Sequence, residues 1–130
     1  MTIFRFKALL GALAFLGSPL QAQEGVRADR ILSTNSLHER CAASEATEDG
    51  RLMIGYCLGA ITGIADAAMT LNAVLTGKQT ICLSKDVTAD EMRLQFLVFV
   101  ERRPDAMSLP AATVVIAVLQ SSYPCKAGNS

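Results

Sequence analysis

The chain has no Trp, a single His, and only two Tyr and five Phe among its 130 residues. Its 12 basic residues balance 12 acidic ones. No basic stripe with interleaved aromatics exists, so nucleic-acid binding has no electrostatic footprint. The lone histidine, His38, falls on a short polar segment, which leaves no arguable Ser-His-Asp set and no catalytic residue to nominate. No Cys-x-x-Cys pair is present, so zinc, the competing use for four cysteines, lacks its ligand spacing. No strand pattern precedes a glycine-rich turn, which excludes a phosphate-binding loop. No cofactor is implied.

What is present begins with an export signal. Arg5 and Lys7 precede the uncharged apolar run Ala8 to Gly17, and Ser18-Pro19-Leu20-Gln21-Ala22 ends in a small residue suited to signal peptidase. That run is about half of the roughly 20 residues a membrane helix needs. A cleaved signal over residues 1–22 is therefore expected, with an uncleaved anchor as the alternative. The exported domain, 23–130, then lies free of the membrane. Without Arg5 and Lys7 it keeps 10 basic residues against 12 acidic ones, a net charge of −2. Four cysteines in an exported domain of this size point to two disulfides.

The centre of the chain is Met53 to Asp66, MIGYCLGAITGIAD, where Gly55, Gly59 and Gly63 recur every four residues. On a helix they form one bare ridge, although each costs about 1 kcal/mol relative to alanine. The expectation is a neighbouring backbone lying against the ridge. Leu52, Tyr56, Gly59, Gly63 and Ala67 share one side, and Ile54, Cys57, Ile61, Ile64 and Ala68 the adjoining one. So broad an apolar surface predicts a helix enclosed by others. The ridge resembles a membrane Gly-x-x-x-Gly motif, but Asp66 and the helix length argue against a span and for close packing in a soluble domain or dimer. Asp66 is the one charged residue there and the polar residue that invites a sharper reading. Its readings are a partly buried carboxylate accepting hydrogen bonds, a partner-recognition group, or a lone catalytic carboxylate.

Four helices are predicted. A short one runs from about Asn35 to Ala43, capped by Thr34 or Ser36, with Glu39 completing a box with Ser36. The long helix follows Thr47 and ends near Leu75, with Gly77 past its end. The third starts at Thr88 with Glu91 three residues on, Val87 stapled to Met92, and stops before Pro104. The last runs to about Ser122 with Pro110 in its first turn. Val114 to Val118 is strand-like by propensity but has no strand to pair with, so it reads as a buried helix. The fold class is all-α, a small disulfide-stapled antiparallel bundle of one short and three longer helices. In that order Cys82 and Cys125 share the end where the long helix stops, and Cys41 and Cys57 lie toward the other. The predicted pairs are Cys41–Cys57 and Cys82–Cys125.

These features resemble the Rap/Tai family of periplasmic immunity proteins, which protect bacteria from cell-wall amidase toxins delivered by type VI secretion. The resemblance covers about Leu37 to Cys125. It rests on Leu37 with Cys41, Gly55-Tyr56-Cys57-Leu58-Gly59, Gly63 with Asp66, Cys82 before Val87-Thr88, and Tyr123-Pro124-Cys125. One departure is Leu83-Ser84 after Cys82, where family members often carry proline. The resemblance implies an all-helical periplasmic protein, often dimeric, that binds the toxin and blocks its groove without catalysis. Framework positions would be the four cysteines with Gly55, Tyr56, Gly59, Gly63 and Asp66. For contact with the amidase, the exposed corner is the choice: Glu101, Arg102, Arg103, Asp105 and Met107, with the outer face from Arg93 to Arg102. A dimer would use the ridge or the last helix. The runner-up function is an acid-stress chaperone of the HdeA type, which would need more titrating carboxylates than this chain has, or a divergent member with another periplasmic partner.

Overall fold

The computed structural model describes residues 32–126. The expected signal, 1–22, lies outside the described residues. Four α-helices follow in order: α1 (Thr34–Cys41), α2 (Glu48–Thr76), α3 (Ala89–Arg102) and α4 (Ala111–Ser122). A 3-10 turn, Pro104–Ser108, joins α3 to α4. Among the described residues there is no strand, only isolated bridges at Ser33–Pro110 and Ile81–Pro124. The all-α class stands.

Helix ends follow local chemistry. Thr47 accepts from the Gly50 amide at 3.0 Å and Thr88 from the Glu91 amide at 3.1 Å. Each satisfies one of the orphan donors of a first turn. Gly77 ends α2 in the left-handed conformation, φ 64°. α1 differs from expectation: Ser33 is its cap, accepting from the Ser36 amide at 3.2 Å. Ser36 is thereby inside the helix, and Glu39 accepts from Asn35 Nδ2 instead. Val114 to Val118 is helical, because α1, α2 and α3 all supply a surface to bury it while no strand is there to pair.

The core joins Leu37, Cys57, Ile61, Phe96, Val100, Ala111, Val115 and Leu119. α2 contributes a narrow stripe to it, Cys57, Ile61, Ala65 and Ala68, and also buries Ile54. The disulfides are Cys41–Cys57 and Cys82–Cys125. The first locks α1 onto α2. The second ties the loop after α2 to the tail after α4, where the Cys82 amide also donates to the Tyr123 carbonyl at 2.9 Å.

The enclosed α2 is corrected. Its other side is open, with Leu52 68%, Tyr56 51% and Val74 76% exposed. Gly55, Gly59 and Gly63 have nothing within 4 Å of where a Cβ would stand. Among the described residues no backbone lies against the ridge. Helices of 8, 14 and 12 residues cannot surround one of 29 residues. Length and hydropathy alone would let α2 cross a membrane, with a mean hydropathy of 1.5 in its most apolar window. Its stripe is instead committed to the core and its Cys57 to α1.

The glycine under real constraint is Gly50, where a Cβ would overlap the Ser44 carbonyl. Gly50→Ala is expected to cost at least about 1–3 kcal/mol, because backbone on the other side cannot step aside. Within a single chain Gly59→Ala meets open space and should be neutral or stabilising by up to about 1 kcal/mol. Urea denaturation of the two variants side by side checks the contrast.

Candidate partner-binding surface

Two surfaces carry the residues singled out in sequence. The first is built from the second half of α3, the 3-10 turn and α4. α3 is anchored by Met92, Phe96 and Val100. Burying these turns Gln95, Val98 and Arg102 toward the α4 side, and half-buried Phe99 lies beneath them. Between the helices runs a groove with two hollows. One, of about 330 Å³, is lined by Gln95, Val98, Arg102, Val118, Ser121 and Ser122. The other, of about 150 Å³, is lined by Asp105, Ala106, Leu109, Thr113 and Ala117 among others. They meet at Phe99 and Arg103, which border both. The Arg103 guanidinium lies over the Phe99 ring, 5.8 Å from its centroid. It also approaches Asp105 at 3.5 Å, an exposed pair of little energetic weight.

The turn is held from below. Ala106 is buried, and its amide donates to the Arg103 carbonyl at 2.9 Å. The Leu109 carbonyl accepts from the Thr34 amide at 3.0 Å and from its hydroxyl at 2.8 Å. The Ala111 amide donates to the Leu32 carbonyl at 2.8 Å. Glu101, Arg102, Arg103 and Asp105 are therefore exposed side chains on a fixed backbone. Such loops, positioned by a rigid scaffold, are where recognition concentrates.

Two contact choices need correction. Met107 is half-buried and packs against the core, so it presents only part of its side chain. Arg93 is not on an outer face at all; it is 9% exposed. Its Nη1 donates to the Cys41 carbonyl at 2.8 Å, and its Nε to Asp90 at 2.7 Å. Arg93 thus clasps α3 to the end of α1 and fills the carbonyl valence left where that helix stops. Asp90, three residues earlier, is the one sequence signal for a held arginine. Sequence reasoning also missed Gly50, although a glycine in a first turn, three residues after the cap, was the available hint.

The second surface is the free side of α2. Tyr56 and Asp66 both lie on exposed positions, with Gly55, Gly59 and Gly63 between and beside them. Asp66 forms no ion pair among the described residues, so the buried-carboxylate reading is withdrawn. Tyr56 is covered on one ring face by Arg40, whose guanidinium carbon is 4.7 Å from the centroid. Leu71, Val74 and Leu75 extend the apolar side to the end of the helix. Elsewhere, burial and then the nearby Glu91 carboxylate raise the Tyr123 pKa above the usual phenol value. Its hydroxyl has no hydrogen-bond partner among the described residues.

All four cysteines are in disulfides, which leaves no thiolate nucleophile. Among the described residues no group of three His, Cys, Asp or Glu could hold a metal ion. These surfaces present guanidinium and carboxylate charge, amide and hydroxyl groups, and apolar area.

The family model described as Rap1a immunity proteins matches residues 33–125. That span runs from the Ser33 cap of α1 to the last disulfide cysteine and takes in every described helix. The chain belongs to the Rap1a immunity protein family. Membership makes its role that of an immunity protein, and its partner a protein effector. No curated protein and no solved structure matches the chain. In this chain the two disulfides and the core hold the helices together, and the α3–α4 corner and the free side of α2 are exposed.

Proposed function

We propose that this chain is a periplasmic immunity protein that binds a peptidoglycan amidase toxin delivered by type VI secretion and occludes its active-site groove, without catalysis of its own. One observation carries the reading: a charged, exposed corner, Glu101 to Asp105, sits on a backbone pinned by Ala106 and Thr34. A protein that acts by steric block needs that combination, since rigid presentation limits the entropy lost on binding. The disulfides suit an oxidising compartment, which supports the periplasm.

The test is a pull-down of the oxidised chain against candidate cell-wall amidases, followed by a peptidoglycan cleavage assay. A stoichiometric complex that stops cleavage is expected. Arg102→Glu with Arg103→Glu should weaken it by about 10-fold or more. Stability should move by no more than about 0.5 kcal/mol, as both side chains are exposed. Unimpaired inhibition by that double variant would remove the corner from the interface.

The free side of α2 supports a second part of the proposal, a homodimer. Leu52 and Tyr56 stand at one end of the bare ridge, and Leu71 and Val74 at the other. Two copies crossing antiparallel would set the bulky end of each against the bulky end of the other, with the glycines where the helices meet. Gly59→Leu should then lower the sedimentation mass to that of one chain while leaving the helix intact. A chain that sediments as a monomer before substitution would dismiss the dimer.

A further inference from the structure

Within the corner assigned to effector contact, the larger hollow has a one-sided chemistry. Its polar lining is Arg102, Arg103, Gln95, Ser121 and Ser122, with no carboxylate among the residues that border it. Its floor is apolar: Val98, Phe99 and Val118. Arg102 has no ion-pair partner among the described residues, and the one carboxylate near Arg103, Asp105, stands on the far hollow. The Ser121 hydroxyl is already spent on the Val118 carbonyl at 2.9 Å. Arg102 is left as the strong free donor over an apolar floor, with Arg103 beside it sharing its charge with Asp105.

From this lining we infer that the hollow receives an acidic segment of the effector protein, with one apolar or aromatic side chain inserted on Val98, Phe99 and Val118 and a flanking carboxylate taken by Arg102 and Arg103. Volume supports one inserted side chain. About 330 Å³ is at the small end of ligand pockets, which run from roughly 300 to 1,000 Å³. Charge supports the flank, because guanidinium pairs bidentately with carboxylate and binds it more strongly than a neutral acceptor. A basic segment would instead bring its charge against two arginines, a repulsive element that adds selectivity. The inference rests on the immunity reading for the identity of the partner, but the chemistry of the hollow can be tested without any effector.

The probe is a capped Asp-Phe-Asp tripeptide, with Lys-Phe-Lys and Asp-Gly-Asp as controls, titrated into the oxidised chain and followed by amide NMR. Shifts should centre on Val98, Phe99, Ser121 and Ser122. Asp-Phe-Asp should bind at least about 5-fold more tightly than either control. Arg102→Glu should abolish the preference over Lys-Phe-Lys, and Ser122→Asp, which places a carboxylate in the hollow, should weaken Asp-Phe-Asp alone. Equal affinity for the acidic and basic peptides would overturn the inference. So would shifts confined to α2, or the absence of shifts at about 10 mM peptide. Movement of the same amides with protein concentration alone would assign the hollow to a second copy and overturn it as well. If no amidase is ever bound, the amidase reading fails while the peptide result stands. If an amidase is inhibited equally by both variants, only the assignment of the hollow fails.

Discussion

Replacing Cys82 and Cys125 together by serine is expected to lower the stability of the oxidised chain by about 4 kcal/mol, against about 3 kcal/mol for the Cys41 and Cys57 pair. The difference follows from separation along the chain, 43 residues against 16, since the wider loop removes more freedom from the unfolded state. Losses of this size are a large fraction of the roughly 5–15 kcal/mol that holds a domain together. The Cys82–Cys125 bond has a second effect in the folded state. It sits beside buried Ile81 and the Cys82 to Tyr123 hydrogen bond, so freeing it loosens both the loop after α2 and the tail after α4. Equilibrium unfolding in urea measures both pairs, and double serine variants avoid a stray thiol. Equal midpoints for the two variants would show that strain or residual unfolded structure, not loop closure, governs these bonds.

Phe96→Ala should cost about 3–5 kcal/mol, the range for truncating a large aromatic in a packed core. Phe96 is 1% exposed on the inner face of α3, among Val100 and the core residues of α2 and α4. Its removal leaves a cavity that the flanking helices, tied by disulfides, can close only in part. The consequence reaches the proposed contact surface, because the side of α3 that faces outward is set by what it buries inward. Leu94→Ala, at a position 48% exposed, should stay within about 0.5 kcal/mol. A large loss at Leu94 and a small one at Phe96 would mean that the register of α3 is rotated.

Local structure was legible because its causes are local. Thr47, Thr88 and Gly77 cap or stop helices through hydrogen bonds and a backbone angle that span only a few residues. The disulfide order followed once the helices were taken as antiparallel, since short connections leave little choice of neighbours. Ser33 was missed as the α1 cap because several hydroxyl residues stand together, Ser33, Thr34 and Ser36, each able to accept. Only the long-range contacts of Thr34 with Leu109 select the start.

The proposed contact surface was half legible. The exposed charges of Glu101 to Asp105 could be read from Pro104 and a run without periodicity. The groove beside them could not, because it belongs to the spacing between α3 and α4. Arg93 was misplaced for a related reason. A helical position one residue from the apolar stripe can face water or a neighbouring helix end, and only the approach of the Cys41 carbonyl decides.

By itself the sequence determined the all-helical class, the helix limits at Thr47, Gly77 and Thr88, and four cysteines placed to pair two by two. Capping chemistry, propensity and 3.6-residue periodicity act within a turn or two, so they are written in neighbouring letters. Tertiary structure alone decided which apolar side of α2 the chain buries, and that the glycine ridge is left open. Apolarity states that a surface gains by leaving water; it does not say whether the surface that covers it is in the same chain. Cys57 and Ile61 found theirs in α1, α3 and α4, while Leu52, Tyr56 and Val74 face outward.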